Sequence, residues 1–296
     1  MKHVVPLALV LVACGGSPTP KASRHVSTAG VHRLQIGALD AYVLADGHLE
    51  LPNDGAVLAV GQPPAAVGDV LAAATLPRDP IRLDIQCLLV TAGDRVMLFD
   101  TGLGDFGDAK TGHLRVSLAR AKIDPAAVTD IFITHAHGDH IGGLLTNGAL
   151  AFPAATIRLS APEWAFLQAS TDDDSKRMVA AIASKVVAFE PDAQVLPIVK
   201  AIGARGHTVG HSSYVVGAGA ETLLVLGDVA HHSVLSVQHP AWSVAVDADH
   251  EVANATRQQT LARLAGDHTR VFAGHFPYPG LGHVATSGQG LAWTPE

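Results

Sequence analysis

The chain has 296 residues, enough for one large α/β domain or two small ones. Hydrophobic residues make up 48% and charged residues 16%, which excludes a wholly disordered chain. A formal charge of −7 without a basic stripe argues against a nucleic-acid partner, and two Cys exclude thiolate metal clusters and disulfide scaffolds. The 17 His are the outlier. With scattered Asp they suggest a metal site of imidazoles and carboxylates.

In chain order, residues 1–13 (MKHVVPLALVLVA) read as an address. Lys2 supplies the positive start, and the apolar run Val4 to Val12 is far shorter than the about 20 residues that span a bilayer. It fits the core of a signal peptide. Leu11-Val12-Ala13-Cys14 resembles a bacterial lipobox, so Cys14 is the expected lipid anchor and residues 14–29 a flexible tether. The expected location is the cell envelope, facing the periplasm or held in the outer membrane of a Gram-negative host.

Residues 30–296 form the expected single domain. Two strand-like runs flank a predicted hairpin turn at Asp46-Gly47. A short helix is predicted over residues 65–74, then strands over 85–90 and 95–99 with a turn at Gly93-Asp94. Cys87 falls in the first of these as a buried thiol. A helix over 114–122 and a strand over 130–134 follow, then a Gly-rich helix over 142–146. Next come a strand over 154–160, a helix over 162–169 and a helix over 175–188 capped by Asp172-Asp173-Asp174. Strands over 199–204, 212–216 and 222–226, a helix over 253–264 and a last strand over 270–273 complete the series. The alternation predicts helices packed on sheets.

The strongest signal is His135-Ala136-His137-Gly138-Asp139-His140, four candidate ligands directly after the apolar strand DIFIT. Three more segments share the design of a strand followed by a polar turn: Gly206-His207, Gly227-Asp228 and Gly274-His275. Strand ends are where α/β folds place their chemistry.

This set resembles the metallo-β-lactamase-fold hydrolase superfamily, and within it the methyl parathion hydrolase and quorum-quenching lactonase group. The segments that carry the resemblance are DTG (100–102), THAHGDHIGG (134–143), GHTVGHSSYVV (206–216), LLVLGD (223–228), AGHFPYPGLGHV (273–284) and the early IGALDAYVLADGHLELP. The resemblance implies an αββα sandwich with a dinuclear site between two sheets. His135, His137 and His207 would hold one divalent metal; Asp139, His140 and His275 would hold the other; Asp228 would bridge them. Zn suits these ligands, as do Mn, Co or Fe.

By the same resemblance, Asp100 orients a ligand His from behind, and His211 either supports the ligands from behind or is structural. Some lactonases of the group carry Tyr three residues after the bridging Asp; here His231 stands there, a candidate catalytic hydrogen-bond donor alongside Asp228 and Asp139. The implied activity is attack of a metal-bridging hydroxide on a small ester-like substrate: a lactone, an aryl ester or an organophosphate triester. Left open beside it are a glyoxalase-II-type thioesterase, a mononuclear-iron persulfide dioxygenase and a non-enzymatic metal-binding lipoprotein. The reading also allows a homodimer. Phe106, Trp164, Phe166, Met178, Trp242 and Phe276 are the expected pocket walls, while His239, His250, His268 and His283 read as structural or solvent-facing.

Overall fold

The computed structural model describes residues 27–28, 30–219, 221–288 and 290–296. The expected signal peptide and the Cys14 anchor lie outside the described residues. Two sheets dominate. The first has eight strands in the order Ser27–Thr28, Val31–Ile36, Leu39–Leu51, Ile81–Ala92, Arg95–Phe99, Asp130–Phe132, Thr156–Ser160 and Val186–Phe189. The second has seven, in the order Gln194–Leu196, Val199–Gly203, Ser212–Ala218, Glu221–Val225, Arg270–Phe272, Leu281–Ser287 and Gly290–Pro295.

The period-2 pattern of the strands sorts side chains to the two faces of each sheet. Leu88, Val90, Met97, Phe99 and Phe132 point from the first sheet into a core shared with Val199, Tyr214, Val216, Val225 and Phe272 of the second. The intervening residues Cys87, Leu89, Leu98 and Ile131 point outward, under the helices Leu114–Ala121, Ala161–Ala169 and Asp173–Ile182. Outside the second sheet, Leu224, Leu226 and Val271 meet Leu261 and Leu264 of the long helix His250–Asp267. The result is the αββα sandwich that the sequence implies.

Several local expectations are corrected. Asp46-Gly47 is not a hairpin turn. Leu39–Leu51 is one strand, with a bulge between Ala45 and Gly47, and the chain turns earlier, between Ile36 and Leu39. The bulge has a purpose: it buries the Asp46 carboxylate, which accepts from the backbone N–H of Leu103, Gly112 and Leu114. Gly47, at φ 153°, lets the Lys110 carbonyl approach where a Cβ would sit 2.0 Å away.

The helix expected over 175–188 ends at Ile182, and Val186–Phe189 instead extends the first sheet, parallel to Thr156–Ser160. The β-branched pair Val186-Val187 favours the strand. The Gly-rich helix starts earlier, as one α turn over Gly138–Ile141 and a 3-10 turn over Gly142–Leu144. Residues 270–273 are not the last strand, since Leu281–Ser287 and Gly290–Pro295 form a hairpin beyond them.

Candidate metal centre

Each candidate ligand follows a strand. His135 to His140 follow Asp130–Phe132, His207 follows Val199–Gly203, Asp228 follows Glu221–Val225, and His275 follows Arg270–Phe272. The strands Arg95–Phe99, Asp130–Phe132 and Thr156–Ser160 are parallel, as are Glu221–Val225 and Arg270–Phe272. Their C-terminal ends therefore deliver polar turns to one edge of the sandwich. The described residues contain three His-only or His–Asp groups here whose donor atoms converge, and a fourth around His231.

The first group is His135, His137 and His207. His135 Nε2 lies 3.0 Å from His137 Nδ1, and His207 Nε2 lies 3.1 Å and 3.0 Å from those same two atoms. Nitrogens bound to one tetrahedral Zn²⁺ stand about 3.3 Å apart, so the spacing fits a shared cation. The second group is Asp139, His140 and His275, with His140 Nε2 3.6 Å and His275 Nε2 3.4 Å from Asp139 Oδ2.

Asp228 joins the two. Its Oδ2 is 3.3 Å from His207 Nε2 and 3.8 Å from His135 Nε2. Its Oδ1 is 3.4 Å from His140 Nε2 and 3.3 Å from His275 Nε2. Gly227 makes this turn possible. It sits at φ 60°, and a Cβ there would fall 2.5 Å from His211 Nε2.

The outer nitrogens are committed, which determines the tautomers. His140 Nδ1 donates to Asp100 Oδ2 at 2.9 Å, His207 Nδ1 to Asp247 Oδ1 at 2.8 Å, and His275 Nδ1 to the Asp84 carbonyl at 2.9 Å. In the neutral rings the inner Nε2 atoms then carry the lone pairs, as a metal ligand must. The buried Asp228 Oδ1 and His140 Nε2 have no hydrogen-bond partner, so the donor set is complete except for a cation.

Electrostatics divides the cluster. Burial drives His135 well below the usual imidazole range, and burial with the neighbouring His207 lowers His137 to about 4. This half is neutral imidazole. In the other half, burial opposes charge but the carboxylates win: Asp228, Asp139 and Asp100 hold His140 well above its usual value, and Asp228 with Asp139 raises His275 to about 9. Burial would raise Asp228, yet the surrounding imidazoles, His275 first, hold it well below the ordinary carboxylate range. The acidic half thus calls for positive charge. Together with the committed outer nitrogens, these observations fit two divalent cations.

Asp100 stands where the sequence expects a supporting group. Besides His140 it accepts from Thr134 N and Thr134 Oγ1, at φ 56°. His211 is fully buried, and its Nε2 accepts from Asp228 N at 2.8 Å; burial lowers it to about 3, so it stays a neutral acceptor. His231 lies with Nε2 3.2 Å from Asp228 Oδ2 but off a hydrogen-bonding direction, and both its ring nitrogens are buried without a partner.

Sequence reasoning missed three buried supports. Asp247 orients His207 and is itself held by Arg257 Nη2 at 3.0 Å. Arg257 is 1% exposed and also donates to the carbonyls of Val229 and Trp242. Glu163 is 0% exposed, with Oε1 accepting from Ala136 N at 2.8 Å and Oε2 from Thr208 Oγ1 at 2.7 Å and Gly210 N at 2.9 Å. It therefore clamps the two turns that carry His135, His137 and His207. No local pattern marks these residues, because each lies far in sequence from the ligand it supports.

Of the expected pocket walls, half-exposed Phe106 and buried Met178 line a cleft of about 250 Å³ beside Ala136, Gly138 and Ile141. Phe276 does not. It is fully buried and packs edge-on to Trp293 at 4.9 Å, in the core outside the second sheet. Trp242 stacks on His239 at 4.0 Å, Trp164 packs on the core outside the first sheet, and Phe166 is solvent-exposed. His239 is thereby structural, and His283 Nδ1 meets the Thr269 carbonyl at 3.2 Å.

The sequence model of the metallo-beta-lactamase superfamily matches residues 80–275, which include every one of these candidate ligands. The chain belongs to that superfamily. It stands among the superfamily's metal-dependent hydrolases. The dizinc quorum-quenching lactonase AidC, solved with the product N-hexanoyl-L-homoserine, is 30% identical; the superposition covers 90% of this chain and 97% of AidC at a TM-score of 0.86. The hydrolase AbOPH has the same fold at 24% identity, covering 92% of this chain and 99% of that one at a TM-score of 0.84. The probable metallo-hydrolase YybB of Bacillus subtilis (strain 168) is 39% identical over 64 residues, which is 22% of this chain and 26% of YybB's own length.

Proposed function

We propose that this superfamily member is a dinuclear metallohydrolase of small ester-like substrates, with lactones, aryl esters and organophosphate triesters as the candidate class. The observation that carries the reading is the pair of ligand sets joined through the two oxygens of Asp228. The likeness to a dizinc lactonase over 90% of the chain supports it. The acidic second set, Asp139, His140 and His275, favours two cations over a single iron.

When bound, two divalent cations would supply a Lewis acid and a water acidified enough to act as nucleophile at neutral pH. His135, His137 and His207 would hold one, Asp139, His140 and His275 the other, with Asp228 between them. The remaining work falls to the chain's own residues. Asp100, Asp247 and the Asp84 carbonyl hold the imidazoles in one tautomer and one orientation. His231 stands beside Asp228 as a candidate donor to the substrate oxygen on which negative charge develops, a role that requires its two buried, unpaired ring nitrogens to become accessible when substrate binds. Phe106 and Met178 offer an apolar wall and exclude water.

The test is metal analysis of the purified domain combined with initial rates on an N-acyl homoserine lactone, an aryl phosphotriester and an aryl ester. Two divalent ions per chain and turnover of one of the three are expected. Asp228→Ala should abolish that turnover and lower the metal content. Unchanged activity in Asp228→Ala refutes the assignment. We also place the protein at the cell envelope through Cys14, on the support of the lipobox-like run Leu11–Cys14.

A further inference from the structure

Each ligand set is completed by one His that follows a strand of the second sheet. His207 joins His135 and His137, and His275 joins Asp139 and His140. A contact across the sandwich must therefore hold each late ligand against the early ones. For His207 that contact is Glu163, which accepts from both turns. For His275 it comes from the strand Ile81–Ala92 of the first sheet. Gln86 of that strand is buried, on the same face as Leu88 and Val90, towards the second sheet. Gln86 Nε2 donates to the Phe276 carbonyl at 2.7 Å and lies 3.4 Å from the Gly274 carbonyl. The His275 carbonyl between them accepts from Asp84 N at 3.3 Å. Three consecutive carbonyls are thus met by two residues of one strand, 188 to 191 positions earlier in the chain. A carbonyl only accepts, so the NH₂ end of Gln86 must face the turn. Its Oε1 is then left buried with no partner among the described residues, a cost that an apolar side chain of the same length would not carry. The position keeps a donor and tolerates an orphaned acceptor.

We propose that Gln86 is a positioning residue for His275: its amide fixes the turn 274–276 against the first sheet and so sets how tightly the second cation is held. The inference rests on the two-cation reading above and deepens it. The Asp84 carbonyl fixes the His275 ring at Nδ1, and Gln86 fixes the backbone from which that ring projects. A ligand whose main chain can drift must lose that freedom when it takes up a cation, and one already held loses less. Gln86 therefore does for the acidic set what Glu163 does for the three-imidazole set: each ties a turn of the second sheet to the first.

The experiment uses Gln86→Met, which keeps length and burial and removes the donor. Val90→Ala is the control, since it opens a cavity further along the same strand and lowers Tm without removing a bond to the turn. Amide hydrogen exchange is measured on the metal-free proteins, and competition with a chromophoric chelator gives the two zinc affinities. In Gln86→Met the amides of Phe276, Tyr278 and Asp84 should exchange about tenfold faster, with those of residues 134–143 unchanged. One zinc affinity should fall at least about tenfold and the other stay within about twofold. The ion weakened should be the one that Glu163→Gln leaves alone, so the double variant weakens both. Val90→Ala should lower Tm and keep both affinities within about twofold. Unchanged exchange at the three amides, two affinities that fall together in Gln86→Met, or an equal loss in Val90→Ala overturns the proposal. If the wild-type protein binds fewer than two zinc ions while Gln86→Met still speeds exchange in that turn alone, the two-cation reading falls and the positioning role of Gln86 stands. If neither holds, both fall.

Discussion

Replacing Glu163 by Gln removes one charge and no volume, and its consequences follow from three hydrogen bonds. The carboxylate accepts from Ala136 N, Thr208 Oγ1 and Gly210 N, in a position with no solvent exposure. A Gln carbonyl oxygen can serve Thr208 and Gly210, but its NH₂ must then face the Ala136 N–H. One charge-assisted bond is lost and a buried donor is left unpaired, a penalty of about 2–4 kcal/mol. In a domain of this size that lowers Tm by roughly 5–15 °C. The damage is also directional. Ala136 separates His135 from His137, and Thr208 follows His207, so the loosened turns carry the three-imidazole set. The acidic set is held by Asp100 and Asp84 and keeps its support. Metal titration should therefore show the affinity of one ion falling by about 10–100-fold while the other changes little. Thermal unfolding of the metal-free protein supplies the stability, and competition with a chromophoric chelator supplies the two affinities. A variant within about 0.5 kcal/mol of wild type, or one that weakens both ions equally, refutes the clamp.

Three further outcomes are expected. Arg257→Met strands the buried Asp247 carboxylate and should cost about 3–5 kcal/mol in urea unfolding, whereas Asp247→Asn should cost less but weaken the ion held by His207. Burial depresses His232 to about 4, so as pH falls from about 6.5 the unfolded chain takes up the proton first; stability should drop by up to about 3 kcal/mol between pH 6.5 and 4. Denaturation of the metal-free protein at pH 7 and pH 4.5 checks this, and His232→Asn should flatten the dependence. Cys14→Ser should abolish incorporation of labelled fatty acid and release the protein from the membrane fraction; unchanged labelling would sink the anchor assignment. No described helix is long and apolar enough to cross a membrane.

What was legible in the sequence was local and periodic. The run His135 to His140 after an apolar strand packs four chemical groups into one turn, and the apolar run Ile85–Val90 declares a strand, although that strand begins earlier, at Ile81. His207, Asp228 and His275 stood out because each ends a strand. The errors arose where a local signal met a tertiary demand. Asp46-Gly47 has the composition of a hairpin turn, yet Asp46 is needed as a buried acceptor for the loop at 103–114, and the strand bulges instead of turning. Val186–Phe189 continues a helical pattern in composition, but an open sheet edge at Thr156–Ser160 draws it into a strand. Phe276 follows a candidate ligand and yet turns into the core against Trp293, while its own carbonyl accepts from Gln86 Nε2.

Strand periodicity and ligand spacing act over a few residues, and they marked helices packed on sheets and the candidate ligands; the sandwich and the grouping of those ligands came from the family resemblance. Only the tertiary structure decided which nitrogen of each His faces inward, that both oxygens of Asp228 are used, and that Asp247, Arg257 and Glu163 support the centre. Asp247 and Glu163 lie 27 to 47 residues from the groups they hold. Hydrogen bonds over such separations exist only once both sheets have packed, and no local pattern in the chain announces them.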